Sequence, residues 1–311
     1  MRLPADLPAL RRALLAWHRK HALQAPWRAS GDPYHVLVAA VMAQQTQMSR
    51  VLLKYDEFIA AFPTVEALAR APAAEVLRRW ELLGYNLRAV RLQRAAQLIV
   101  RRGGFPRTAA ELEQIEGIGP FTAAIIASFA FGEPAPAIDT NVRRVIARLL
   151  GDANGQLSDR ALLPAAERLM SRRAPARWNQ AMMDLGGRVC TSRAPKCEIC
   201  PLARWCRARP AFVKRTRHVA EGRVRYGGAR MKPVQRKRQE PPFHGSPRYY
   251  RGRIVQALRE LPPGASVTQR TLLARLPHRD GIDEAKLARL IASLRRDGLV
   301  RVGRGGRVRL P

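Results

Sequence analysis

The chain has 311 residues, 47% of them hydrophobic, enough for two or three domains with real cores. Lys and Arg number 56 against 24 Asp and Glu, a net charge of +32 spread along the whole length. That balance points to a polyanion as the partner, nucleic acid first. No apolar run reaches membrane-spanning length. With no leader-like segment, the expectation is a cytoplasmic, bacterial-type protein with reduced thiols, held at the nucleoid by DNA.

Helical periodicity runs to about residue 212. Leu7 to His21 reads as an amphipathic helix, with Leu10, Leu14, Leu15 and Trp17 on its apolar face. Helices follow at Tyr34 to Met48, Val51 to Phe62, Val65 to Ala69, Ala73 to Leu82, Arg88 to Arg101 and Ala109 to Ile115. Pro33, Pro63, Pro72, Gly84, Gly103 and Pro106 punctuate them. Another helix starts after Gly119 and one near Asn141; no strand-like alternation interrupts them. The isolated His18, His21 and His35 read as surface or helix-packing residues, and Met182 and Met183 as core.

From Val213 to Pro247 the pattern gives way to Arg, Lys, Gly and Pro, the composition of a basic linker. Order returns with helices at Tyr250 to Leu261, Thr268 to Leu276 and Asp283 to Arg296. Leu299 to Val302 and Arg307 to Leu310, joined through Gly303 to Gly306, read as a two-stranded hairpin. Three helices and a basic hairpin resemble a winged-helix domain, with 283–296 as the recognition helix. Such a module contacts DNA or docks a protein.

Cys190, Cys197, Cys200 and Cys206, spaced C-x6-C-x2-C-x5-C, are all the cysteines of the chain. Four thiolates this close suit one metal centre. An iron–sulfur cube takes four. Zinc also takes four, usually from two separated C-x2-C pairs, and this chain has one such pair. Two disulfides are the remaining alternative, disfavoured in a reducing compartment.

Ile115-Glu-Gly-Ile-Gly-Pro-Phe-Thr-Ala123 lies between two helices. Gly117 and Gly119 permit a tight turn whose bare amides, at a helix start, suit a DNA phosphate. An ordinary helix–helix turn would use the same glycines. Asp139 follows in Pro136-Ala-Ile-Asp-Thr-Asn141, just before a helix, where its plain role is an N-cap.

Hairpin, aspartate and four-cysteine run, in that order, resemble the helix-hairpin-helix DNA glycosylases, in their iron–sulfur branch. That branch includes endonuclease III and the MutY-type adenine glycosylases. The likeness covers roughly residues 5–210. The MutY side is nearer, through Pro26-Trp27-Arg28, Asp32-Pro33-Tyr34, Val41-Met42, Gln44-Gln45-Thr46-Gln47, Leu83-Gly84-Tyr85 and Asn179 to Gly186.

The resemblance implies a mainly α, two-lobed fold with a 4Fe-4S loop, followed by the winged helix. Residues 1–28 and 136–212 would form the cluster lobe, 29–135 a six-helix lobe with the hairpin, 213–247 the linker and 248–311 the winged helix. It implies Asp139 as the catalytic carboxylate, with Asn141 beside it. Ala40 and Phe121 would line the base pocket. Arg28, Gln45, Thr46, Tyr85, Gly117 and Gly119 would meet DNA: Gln45 and Tyr85 as wedges, Thr46 against the unflipped base. The partner would be double-stranded DNA, bound by a monomer.

Three positions depart from the family's pattern. Ala40 stands where MutY-type enzymes carry the glutamate that protonates adenine. Phe121 stands where lyase-active endonuclease III enzymes carry a lysine nucleophile, and Asn86 replaces the second tyrosine of Gly-Tyr-Tyr. The winged helix also stands where MutY proteins usually carry a domain that reads 8-oxoguanine. Without the lysine no Schiff base forms, so a monofunctional glycosylase of base-excision repair is expected. Without the glutamate a general-acid contribution of ~10²–10⁴ is missing. That tilts the expected substrate toward uracil, thymine or hypoxanthine, with mispaired adenine as the alternative. A non-catalytic damage sensor and a lyase-active enzyme are the remaining readings.

Overall fold

The computed structural model describes residues 3–213, 243–277 and 281–311. Residues 214–242 of the expected linker lie outside that range. The described residues are mainly helical. In order come α1 (Leu7–His21), α2 (Pro26–Ala29), α3 (Pro33–Ala43), α4 (Met48–Ala61), α5 (Val65–Arg70), α6 (Ala73–Arg79) and α7 (Leu87–Arg101). Then follow α8 (Ala109–Leu112), α9 (Pro120–Ala130), α10 (Thr140–Leu149), α11 (Asp159–Leu169) and α12 (Pro175–Arg188). The C-terminal part holds α13 (Pro247–Arg259), α14 (Gln269–Arg275), α15 (Glu284–Arg296), β1 (Arg301–Val302) and β2 (Val308–Arg309). Among the described residues no helix is long and apolar enough to cross a membrane.

Local chemistry fixes many helix starts. Asp6, Thr64, Thr108, Asp139, Ser246, Thr268 and Asp283 each accept a first-turn backbone N–H. Two helices have no individual counterpart in the sequence reading: α11, which continues through Pro164, and α12, which takes in the Gly186–Gly187 pair. Two others stop short of it. The helix expected from Tyr34 to Met48 ends at Ala43, and the one expected to reach Leu82 ends at Arg79.

Contacts divide the described residues into two units. The first comprises residues 3–36, 106–114 and 118–213. Its core joins Leu10 and Leu14 of α1 to Val142, Val145, Ile146 and Leu149 of α10 and to Trp178, Met182 and Leu185 of α12. The α10 residues recur at i, i+3, i+4 and i+7, one face of a helix. Cys190, Cys200, Trp205 and Cys206 pack against that core, so the cysteine loop is part of the fold.

The second unit comprises residues 37–105, 115–117, 243–277 and 281–311. In its first part Phe58 meets Trp80 edge-on at 5.8 Å and Phe62 at 5.0 Å, while Leu68, Leu77, Leu92 and Ile99 are buried. In its C-terminal part α13, α14 and α15 enclose Ile254, Leu258, Leu272, Leu287, Ile291 and Leu294. β1 and β2 pair antiparallel, Arg301 opposite Arg309 and Val302 opposite Val308. Val267 bridges to Val308.

Candidate active site

The four cysteines line one partly open pocket together with Arg148, Val189, Lys196, Arg209 and Phe212. None is disulfide-bonded. Burial pushes the Cys200 thiol up to about 12 and raises those of Cys197 and Cys206, and the crowded neighbouring cysteines add to each rise. Such a set becomes thiolate only around strong positive charge. Among the described residues no three ligand-type side chains sit close enough to grip a single ion. Four thiols lining one pocket from a single short run suit a cluster with one ligand per iron.

Two arginines tie this loop to α10. Arg148 donates to Thr191 O at 2.6 Å and Ser192 O at 2.8 Å, and its Nη1 lies 3.5 Å from Cys190 Sγ. Arg144 donates to Cys190 O at 2.8 Å, to Gly186 O at 2.7 Å and to Asn141 Oδ1 at 2.8 Å. Burial lowers the Arg144 guanidinium from its ordinary value, while Cys190 and Asp139 oppose the shift.

Asp139 caps α10 and is oriented at both oxygens. Its Oδ1 accepts from Asn141 N at 2.9 Å and Val142 N at 2.7 Å, and its Oδ2 from Asn141 Nδ2 at 3.0 Å. The N-cap role and the catalytic role expected of it are therefore compatible. A continuous path runs from the carboxylate through Asn141 and Arg144 to Cys190. Gly186 makes it possible, since a Cβ there would lie 2.8 Å from the Asn141 Cβ. The segment before Asp139 is held by the buried Asn179 of α12. Asn179 Oδ1 accepts from Ala137 N at 3.1 Å, and its Nδ2 donates to Ala135 O and Ser128 Oγ, both at 2.9 Å. Ser128 lies on α9, the helix that carries Phe121 in its first turn, half-buried.

At the hairpin, Gly117 takes φ +94°, and Gly119 caps α9 with no side-chain hydrogen bond. Pro120 at the first helical position leaves that end's amides to an outside acceptor.

In the second unit one arginine organises two turns. Arg88 Nη1 donates to Val41 O and Met42 O at 2.9 Å and to Gln44 O. Its Nη2 donates to Leu83 O at 2.8 Å, Thr46 Oγ1 at 3.0 Å and Gly84 O at 3.3 Å. This is why α3 stops at Ala43: the guanidinium takes carbonyls of its last turn, and Gln45 swings to φ +54°. Beyond α6, Leu82 at φ +68° and Tyr85 at φ +43° are likewise left-handed, and stand 60% and 47% exposed. Non-glycine residues held there cost of order 1–3 kcal/mol each. Such strain clusters where a protein must present a side chain.

Other expected site residues fall differently. Ala40 is buried on α3. The Thr46 hydroxyl, expected against a base, is engaged by Arg88. Arg28, expected at DNA, is turned inward: its side chain is 10% exposed, and it grips Asp184 with two 2.8 Å hydrogen bonds. His18 is buried with Nε2 3.3 Å from Asp184 Oδ2, a packing role as expected. Burial pushes the Asp184 carboxyl up, but hydrogen bonds from His18 and Arg28, the Arg28 charge and the Leu23 amide hold it well below the carboxylate range. Arg88, Arg144, Arg148 and Asn179 were not singled out by sequence for these roles, although Asn179 lies in the run already likened to the family.

Residues 38–163 match the HhH-GPD superfamily of base excision DNA repair proteins, and residues 190–206 match the iron-sulfur binding domain of endonuclease III. The adenine DNA glycosylase of Mycobacterium tuberculosis (strain CDC 1551 / Oshkosh) is 36% identical over 307 residues, 96% of this chain and 92% of the relative. The chain belongs to the adenine DNA glycosylase family. The human adenine DNA glycosylase is 38% identical over 219 residues, 66% of this chain and 40% of that protein. Among solved structures, a thermostable thymine-DNA glycosylase matches with TM-score 0.62 at 27% identity, over 66% of this chain and 97% of the other. An endonuclease III in non-covalent complex with DNA matches with TM-score 0.56 at 25% identity, over 68% and 98%. The protein is thus a DNA-binding base-excision glycosylase, and its cofactor is a 4Fe-4S cluster; the matched segment 190–206 contains Cys190, Cys197, Cys200 and Cys206.

Proposed function

We propose that the protein is a monofunctional glycosylase that removes mispaired adenine from double-stranded DNA. The observation that carries the substrate is the 36% identity to an adenine DNA glycosylase across 96% of this chain. It favours adenine over the uracil, thymine or hypoxanthine that Ala40 and Phe121 alone suggest. In this reading Tyr85 and Gln45 wedge into the duplex where the target leaves the stack. The amides at the start of α9 hold a phosphate on the way. Asp139, oriented by Asn141, stabilises positive charge on the sugar as the glycosidic bond breaks, or accepts a proton from the attacking water. Phe121 offers no amine, so the product is a free base and an intact abasic strand. The cluster fixes its loop, whose Arg193 and Lys196 add positive charge for the backbone. A monomer carries every group this reading uses.

A pyrimidine or deaminated substrate is the second reading. Ala40 favours it, because uracil and thymine leave as anions with less need of a proton donor. The likeness to a thymine-DNA glycosylase adds to it. A cleavage panel separates them: duplexes bearing adenine opposite 8-oxoguanine or guanine, and uracil, thymine or hypoxanthine mispairs, are incubated and then treated with alkali. Alkali-dependent cleavage at adenine is expected. Cleavage only at a pyrimidine overturns the substrate; cleavage without alkali, with borohydride-trapped adduct, overturns the monofunctional reading.

A further inference from the structure

Asn86, where the family pattern has a tyrosine, has an unexpected partner. It follows Tyr85 directly and sits at the N-cap of α7, yet makes no side-chain cap hydrogen bond. Its Oδ1 instead accepts from Arg259 Nη2 at 2.7 Å. Arg259 is the last residue of α13, in the C-terminal part of the same unit. The same guanidinium donates through Nε to Leu77 O at 2.9 Å. Arg78 answers in the opposite direction, donating to Arg259 O and, at 2.8 Å, to Leu261 O. Gln256 Nε2 reaches Glu81 Oε1 at 3.0 Å. Every one of these bonds falls on residues 77–86, the segment that presents Leu82 and Tyr85.

That segment needs holding. Two exposed apolar side chains stand on left-handed backbone three residues apart, a conformation that persists only when its surroundings over-determine it. Trp80 Nε1 fixes Gly84 O at 3.1 Å, and Arg88 fixes Leu83 O. Both of these clamps come from residues close to the loop in sequence, Trp80 just after α6 and Arg88 in the first turn of α7. The third, Arg259, comes from the C-terminal module. Desolvation, with Arg78 adding to it and Glu81 opposing, pulls its guanidinium down to about 10, so the contact is partly withdrawn from water yet charged at neutral pH.

We infer that the C-terminal module is an in-cis positioning device for the wedge loop, with Arg259 and Asn86 as the positioning residues through which it sets Tyr85. This rests on the wedge reading of Tyr85 proposed above. It gives the module a role in base flipping besides contacts to DNA or another protein, and it accounts for asparagine at position 86: a tyrosine there offers no carbonyl to the guanidinium.

The test uses the full-length chain and single-turnover excision on the adenine:8-oxoguanine duplex, or on the mispair the cleavage panel returns, with DNA affinity measured alongside. Asn86→Ala and Arg259→Gln should each slow excision about tenfold, the worth of one charge-assisted hydrogen bond, with affinity little changed. Combined, they should be no slower than either alone, and Asn86→Asp, which still accepts from Arg259, should keep the native rate. In a Tyr85→Ala background Asn86→Ala should add nothing, because its effect passes through Tyr85. If Arg259→Gln does not fold, the position 86 variants carry the test alone. Native excision by Asn86→Ala overturns the inference. So does a further tenfold loss in the Tyr85→Ala background, the result expected of a merely structural contact. Tyr85→Ala excising at the native rate removes the wedge reading itself; a slow Tyr85→Ala beside a native Asn86→Ala removes only the role of the C-terminal module.

Discussion

The carboxylate region and the wedge region are built in opposite ways. Around Asp139 the immediate partners are near in sequence, Asn141 two residues on and Arg144 three beyond that, and the cysteine loop, 46 residues from Arg144, follows two helices later. Around Tyr85 the supports are one buried arginine, Arg88, that spans two turns, and another, Arg259, from 173 residues away in its bond to Asn86. Two of the three departures from the family's pattern, Ala40 and Asn86, fall in the second region, which otherwise keeps the family's Gln44–Gln47 and Leu83–Tyr85 runs. On the proposed function, excision chemistry and the handling of the flipped base would rest on separate hydrogen-bond networks, Asp139–Asn141–Arg144 for the first and Arg88 with Asn86–Arg259 for the second.

Variants in each network should therefore fail differently. The largest effect is expected from Asp139→Asn. Asparagine caps a helix as well as aspartate, so α10 should persist. Excision should fall by about 10³ or more with DNA affinity nearly unchanged, since the charge that meets the developing cation is gone. Excision surviving within tenfold would place the chemistry elsewhere.

Arg88→Met should sharpen the other side of the comparison. It strips donors from carbonyls of both turns, a loss of about 3 kcal/mol in chemical denaturation. Abasic-site affinity, which still needs the wedge, should fall together with excision. Lysine should not rescue it, because an ammonium cannot reproduce the planar fork. Full rescue by Arg88→Lys would reduce the clamp to a mere charge.

Asp184→Asn is expected to leave excision at saturating DNA within a few-fold, since this pair serves neither network. Its effect is on stability and on pH. The folded carboxyl is depressed relative to an unfolded value of about 3.9, so its contribution is present above that pH and lost as pH falls through the folded value. The variant should lose about 3 kcal/mol near neutrality, because Arg28 is left buried without its partner. It should also show a shallower fall in stability from about pH 5 downward. An acid-unfolding curve parallel to that of the native protein would refute this assignment.

These two networks were unequally legible in the sequence. The cysteine spacing, the Gly117–Gly119 turn and the aspartate before a helix are local signals, and each leads to its ligand or residue by number. The C-terminal order of three helices and a hairpin was visible for the same reason. Arg88 and Arg259 were not: in a chain with 56 basic residues nothing local marks the two that turn inward. The Gln44 to Gln47 run reads as helix because no breaker interrupts it, and only the distant guanidinium ends α3. Arg28 misled in the converse sense. A basic residue in a family motif suggested DNA, whereas its partner Asp184 lies 156 residues on.

The central claim is that this chain retains an adenine-directed site with its proton donor removed. Ala40→Glu, compared with the uncharged Ala40→Gln so that burial of a larger side chain is matched, tests it most directly. Single-turnover excision should be followed on adenine opposite 8-oxoguanine and on uracil and thymine mispairs. A restored general acid should speed adenine release by at least about tenfold over Ala40→Gln, within the ~10²–10⁴ such groups supply, and should not help the pyrimidines. No gain on adenine, with native activity on uracil or thymine that the new carboxylate slows, would contradict the account and assign the pocket to a base that leaves as an anion.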